Sequence, residues 1–400
     1  MARYAIRSLR TEIFSSKQLE SAQSAVYVAF FCNAFGWATF IPRIPEVKNE
    51  FELTNGQLGI TLLVVAVGML MSMKVSGAIA ARLGSARSLR IFSVLLAFNV
   101  ALLGGLLSYR WFVVTLFGMG VALAGQDIAM NVHGSSVEKF SGRSLMNGFH
   151  ARFSIGSLVG ALVGGICAQL SVSIAIQMAF VALGLFGGFT WVSNRLLPTH
   201  IDIHQPESRA RKRKKSPLIF WALGLLGFFS SVGEGSAADW GAVLLRETWN
   251  VSPFVATVPY VFFAIAMVLG RLNGDRITDI RSREWIVRWG GLVAGVGLCC
   301  GLLLGGPIGI SLGWLALGVG ISVAIPSLFS ACVEIAQKSF SGQVSSSAAV
   351  AIVGAISYAG FLVGPPLIGW LADIVTLRWA MLVPAILALT MGMSARIVRA

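Results

Sequence analysis

The chain has 400 residues, 56% of them hydrophobic and only 12% charged, with a mean hydropathy of +0.78. A soluble domain carries about 25% charged residues, so an ordinary water-soluble fold is excluded. The net charge of +14 and the run Arg211-Lys212-Arg213-Lys214-Lys215 invite a nucleic-acid reading, but the run lies mid-chain between two apolar spans, where it fits a linker beside anionic lipid headgroups.

The first 21 residues are polar and basic, and no small-residue cleavage signature follows the first apolar run, so helix 1 is expected to remain in the mature protein. About 20 apolar residues cross ~30 Å of hydrocarbon. Hydropathy predicts helices 1 to 6 near 22–44, 56–80, 88–108, 110–133, 144–169 and 172–193. Helices 7 to 12 follow near 217–244, 253–275, 285–304, 307–332, 343–370 and 376–397. The expected organisation is an all-α membrane protein: an N-terminal segment 1–21, a six-helix bundle 22–193, a basic linker 194–216 and a second bundle 217–400.

Lys and Arg crowd the loops on the linker side, whereas the opposite side holds only Arg43, Lys48, Arg110, Arg246 and Arg378. The positive-inside rule therefore expects both termini in the cytoplasm of a bacterium, with the chain in the inner membrane. The five cysteines, Cys32, Cys167, Cys299, Cys300 and Cys332, lack metal-ligand spacing and read as packing residues. No Walker loop, Ser/His/Asp set or metal motif points to an enzyme or a cofactor.

The halves repeat. Trp37 precedes Arg43 by six residues and Trp240 precedes Arg246 by six, an offset of 203. Gly156-Ser157-Leu158-Val159-Gly160 aligns with Gly360-Phe361-Leu362-Val363-Gly364 at an offset of 204, and Gly118-Met119-Gly120 with Gly318-Val319-Gly320 at 200.

Two parallel six-helix halves joined by a basic loop resemble the major facilitator superfamily, whose substrate site lies at mid-membrane between the halves and is exposed alternately by rocking. In the loop between helices 2 and 3, Gly77, Arg82 and Gly84 match that family's G-x-x-x-D-R-x-G pattern, while Ala81 replaces the Asp. The second copy, Asp279-Ile280-Arg281-Ser282-Arg283, is more degraded. The family's cytoplasmic charge lock is therefore not expected in full.

Carboxylates inside a membrane cost about 2.5–3.5 kcal/mol on insertion scales and are functional candidates by default. Asp127 lies in helix 4 within GQDIAMNVHG and Glu234 in helix 7 within VGEGSAADW. Asp127 and Asn131 share a helix face at i,i+4 spacing, combining a titratable oxygen with an amide suited to a hydroxylated ligand. The stretch resembles helix 4 of the fucose and hexose–proton symporter branch, which carries E-x-x-x-N with the acid as a proton site. That resemblance implies proton coupling at Asp127, and a V-G-x step implies the same for Glu234. The fucose members also carry an Asp in helix 1, where this chain has Asn33, Trp37 and Thr39. The runs NVHGSSVE, EGSAADW and FLVGPPLIGWL resemble a bacterial subgroup that includes a rhizopine-related transport protein. The alternative for either acid is a structural pair with Lys74 or Arg152.

Asn33, Trp37, Asn131, Trp240 and Tyr358 are the candidate substrate contacts, because indoles suit sugar faces and hydroxyls; the two Trp residues also fit an interfacial aromatic belt. His150, Arg152 and Glu138, together with His133, are read as an inner gate network or a plain interfacial cluster. Asp239, five residues from Glu234, is read as a cap or gate. The expected partners are a small-molecule solute, protons and the lipid bilayer, with a monomeric chain. Proton-coupled uptake of a sugar- or polyol-like solute leads this reading, and proton-driven efflux of a drug or metabolite is the alternative.

Overall fold

A computed structural model describes residues 14–105, 108–143, 145–199, 217–338 and 346–399; the basic run at 211–215 lies outside them. All regular secondary structure among the described residues is helical. In chain order the helices are Ser16–Ala38, Asn55–Leu83, Ser85–Leu103, Tyr109–Ser141, Met146–Gln169 and Ile174–Ser193, then Leu218–Trp249, Pro253–Ile280, Arg283–Leu304, Gly306–Lys338, Ser346–Val375 and Leu377–Met393. They keep the numbers 1 to 12. Eleven are long and apolar enough to cross a membrane, and helix 12 is a shorter apolar one. Helix 1 continues through a tight turn, Ile41–Arg43, into a short helix, Ile44–Glu50.

Several helices outrun their apolar stretches. Helix 4 continues to Ser141, where Gly142 turns left-handed at φ +67° and its N–H reaches the Glu138 carbonyl. Helix 8 continues to Ile280 and helix 7 to Trp249. Hydropathy marks where lipid lies, whereas a helix ends where its last carbonyls are capped.

Helices 10 and 12 are interrupted, the first between Ile321 and Ala324, the second at Met381. The cause is proline. Pro326 and Pro384 lack an N–H and crowd the carbonyl four residues earlier, at Ser322 and Ala380. At the break, the Ser322 hydroxyl donates to the Val319 carbonyl at 3.0 Å.

The chain forms two compact units. The first comprises 1–40, 64–160 and 172–208, and the second 41–63, 161–171 and 209–400. The second thus takes in the turn and short helix that follow helix 1, the start of helix 2 and the end of helix 5. In the first unit, a Cβ on Gly156 would run into the carbonyl oxygen of Phe31, so helices 5 and 1 cross backbone to backbone. In the second unit Gly360 plays the same part, its virtual Cβ 2.5 Å from the Phe228 oxygen, for helices 11 and 7. The Gly-x-Gly pair is reused differently: Gly120 faces helix 2 and Gly118 helix 3, whereas Gly318 faces helix 8 and Gly320 helix 9. The offset of 200 therefore aligns the pattern but exchanges the partners.

Gly156→Val is expected to cost about 1–3 kcal/mol by overpacking and to lower the unfolding temperature in detergent. Gly187→Ala, with nothing within 4 Å of its added carbon, should change it little in the same scan.

Candidate functional site

In the first unit, helix 4 presents a polar line. Asn131 Nδ2 donates to the Asp127 carbonyl at 2.8 Å and to its carboxylate at 3.1 Å. Both side chains are half-buried. No described cation forms an ion pair with Asp127, and Lys74 and Arg152 are both exposed. One residue before Asp127, Gln126 is fully buried. Its amide oxygen accepts from Asn33 Nδ2 at 2.8 Å and its Nε2 donates to Ser93 Oγ at 2.9 Å, tying helices 1, 4 and 3. Asn33 is thus 3% exposed and engaged by a neighbouring amide. Trp37, half-buried, packs on Phe40 at 5.7 Å.

The linker-side cluster separates into distinct roles. Glu138 accepts the Leu145 and Met146 N–H groups at 2.6 and 2.9 Å, capping the start of helix 5. His150 meets Phe30 edge to face at 5.1 Å, and Arg152 lies 5.1 Å above the Tyr27 ring. His133 is fully buried: the Leu197 N–H donates to Nε2 at 3.2 Å, which leaves Nδ1 as the protonated nitrogen, 2.7 Å from Ser85 Oγ. It joins helices 3 and 4 to the chain leaving helix 6.

In the second unit, Glu234 on helix 7 pairs with Arg271 on helix 8 at 3.3 Å, with 29% and 26% of their side chains exposed. The cation beside Glu234 is thus neither Lys74 nor Arg152. Asp239, half-buried on the same helix, has no ion pair or hydrogen bond with a described residue. Trp240 is 0% exposed, and its Nε1 has no partner among the described residues. Its counterpart Trp37 is more open, so the sequence symmetry of the two indoles is not a symmetry of exposure. Tyr358, 45% exposed, stacks on Phe361 at 6.4 Å. Among the described residues no His, Cys, Asp and Glu group is arranged to hold a metal.

The structure therefore brings together Asp127 with Asn131, and Glu234 with Arg271. Gln126 and Arg271 do not stand out in the sequence. Gln126 lies inside the helix 4 stretch, one residue from the acid. Arg271 resembles an interfacial residue when hydropathy ends helix 8 at 275; running to Ile280, the helix places it nine residues inside its end.

Arg271→Gln leaves Glu234 unpaired in a membrane helix and is expected to cost about 1–3 kcal/mol. Adding Glu234→Gln should recover most of the lost unfolding temperature. A double-mutant cycle in detergent reads both.

A Major Facilitator Superfamily family model matches residues 26–350. An uncharacterised MFS-type transporter of Yersinia pestis is 32% identical over 383 residues, covering 94% of this chain and 96% of the relative. A putative tartrate transporter of Agrobacterium vitis is 28% identical over 155 residues, 38% of this chain and 34% of the relative. Among solved structures, a mutant form of the nucleoside transporter NupG superposes with a TM-score of 0.75 at 10% identity, covering 94% of this chain and 99% of that one. At that identity the likeness concerns the fold alone.

Proposed function

The chain belongs to the major facilitator superfamily, a family of secondary transporters and not of enzymes, and on that premise we propose that it couples proton movement to uptake of a small, hydroxyl-rich solute. The observation that carries this reading is the Asp127 and Asn131 pair. A half-buried membrane carboxylate that accepts from an amide at 3.1 Å, without a described cation to fix its charge, is a group that can take up and release a proton during a transport cycle. The adjoining amide offers a donor and an acceptor to a hydroxylated ligand.

In this proposal Asp127 is the principal coupling acid. Glu234 is the second, its charge state set against Arg271. Asn131, Trp37 and Tyr358 contact the solute. Asn33 acts from behind through Gln126, and Trp240 offers its indole N–H, which has no partner among the described residues. His150, Arg152 and Asp239 belong to the gates, and Glu138, read from the sequence as a gate residue, serves instead to hold the start of helix 5 beside them. The chain works as a monomer in the bacterial inner membrane with both termini cytoplasmic, consistent with the crowding of Lys and Arg on the linker side.

The cargo is read first as sugar- or polyol-like. The partial similarity to a putative tartrate transporter favours a second reading, a hydroxylated acid, which keeps the hydroxyl chemistry and adds a carboxylate.

Proteoliposomes with an imposed inward proton gradient, screened with labelled sugars, polyols and tartrate, test the proposal. Wild type is expected to accumulate one class of solute, and Asp127→Asn to lose gradient-driven accumulation by at least tenfold. Undiminished accumulation by Asp127→Asn would remove Asp127 from the coupling step. Export of preloaded hydrophobic cations against entering protons, with no uptake, would replace the proposal by the efflux reading.

A further inference from the structure

Within the second unit, two helices begin on acceptors supplied by other helices. Helix 2 starts at Asn55, and Asp373 near the end of helix 11 receives its first amides: Asn55 N–H to Oδ1 at 3.0 Å and Gly56 N–H to Oδ2 at 2.9 Å. The Thr54 hydroxyl donates to Oδ2 at 3.2 Å. Helix 8 starts at Pro253, and the Phe254 N–H donates to Gln169 Oε1, at the end of helix 5, at 3.2 Å.

These two caps are copies of one device. Asp373 follows Gln169 by 204 residues, the offset relating the Gly156 and Gly360 runs, and Gly56 and Phe254 are each the second residue of their helix. Both seams are also close. A Cβ on Gly59 would lie 2.5 Å from the Pro365 oxygen, and one on Gly165 2.7 Å from Thr257 Oγ1. Lys48 adds a third tie, pairing with Glu247 on helix 7 while donating to Asn55 Oδ1 at 2.8 Å. All these groups stand at the helix ends opposite those joined by the linker.

The copies differ in charge. A carboxylate meets the partial positive charge of a helix N-terminus with a full negative one and receives two amides, whereas a neutral amide oxygen receives one.

We propose that Asp373 and Gln169 are paired latches, holding the starts of helices 2 and 8 closed onto helices 11 and 5 at the end opposite the linker, with Asp373 setting most of the bias. They are positioning residues and act through the helices they cap. No step requires a particular solute or a proton, so the latch stands or falls independently of the function proposed above.

The test uses the full chain with its five native cysteines replaced and Leu62→Cys as reporter, Leu62 being 5% exposed and one turn along from Gly59. In lipid nanodiscs, reaction with a bulky polar maleimide reads the fraction of molecules with this seam open. Asp373→Ala is expected to speed labelling by roughly threefold to thirtyfold, the equilibrium shift that losing a helix cap produces. Asp373→Asn, which keeps an acceptor, should speed it less. Gln169→Glu, which gives the second latch the charge of the first, should slow it. Parental labelling rates in both Asp373 variants, with unfolding temperature unchanged, would overturn the proposal. Should Asp373→Ala fail to fold, Gln169→Glu decides alone, and a rate no slower than the parent rejects the latch.

Discussion

Where helices 1 and 5 cross, and again where 7 and 11 cross, one backbone lies so close that a single added carbon would occupy the other's carbonyl oxygen. In lipid no hydrophobic force draws helices together, so association depends on such close approach, on hydrogen bonds and on dispersion. Each crossing holds a polar helix face against its neighbours. Helix 1 carries Asn33 to Gln126, which puts Asp127 and Asn131 beside a buried amide network. Helix 7, set by the equivalent crossing, carries Glu234 to a place where Arg271 reaches it.

The number and order of the spans were legible because hydrocarbon thickness imposes a length that apolar runs must meet. Their ends were not. Gly142 and Glu138 close helix 4 by a left-handed turn, and hydropathy is blind to that geometry. Hydropathy also ran straight through the breaks in helices 10 and 12, which lie just ahead of Pro326 and Pro384. The repeat was legible at Gly156 and Gly360, where the two glycines do the same job. At Gly118 and Gly120 it gave the motif without the pairing, since two glycines separated by one residue face different neighbours and either can serve either role.

The acids of the candidate site stand out in the sequence, and their surroundings do not. Asp127 and Asn131 share a face by periodicity alone, and their hydrogen bond follows. The partner of Glu234 lies 37 residues away on the next helix, a distance that no local pattern spans. Trp37 and Trp240 show the opposite limit: equal spacing from an arginine predicts equal position along a helix but not equal burial, which depends on what packs alongside.

The environment of His133 bears on how likeness to this chain should be read. Its imidazole is spent on both sides, one nitrogen on a serine and the other on a backbone amide. A few residues on, Glu138 is spent on the first amides of helix 5. In the run NVHGSSVE, then, the two most chemically suggestive side chains are joinery. A protein that matches this chain at His133 and Glu138 therefore shares a corner of the scaffold, and those two matches by themselves carry no information about cargo.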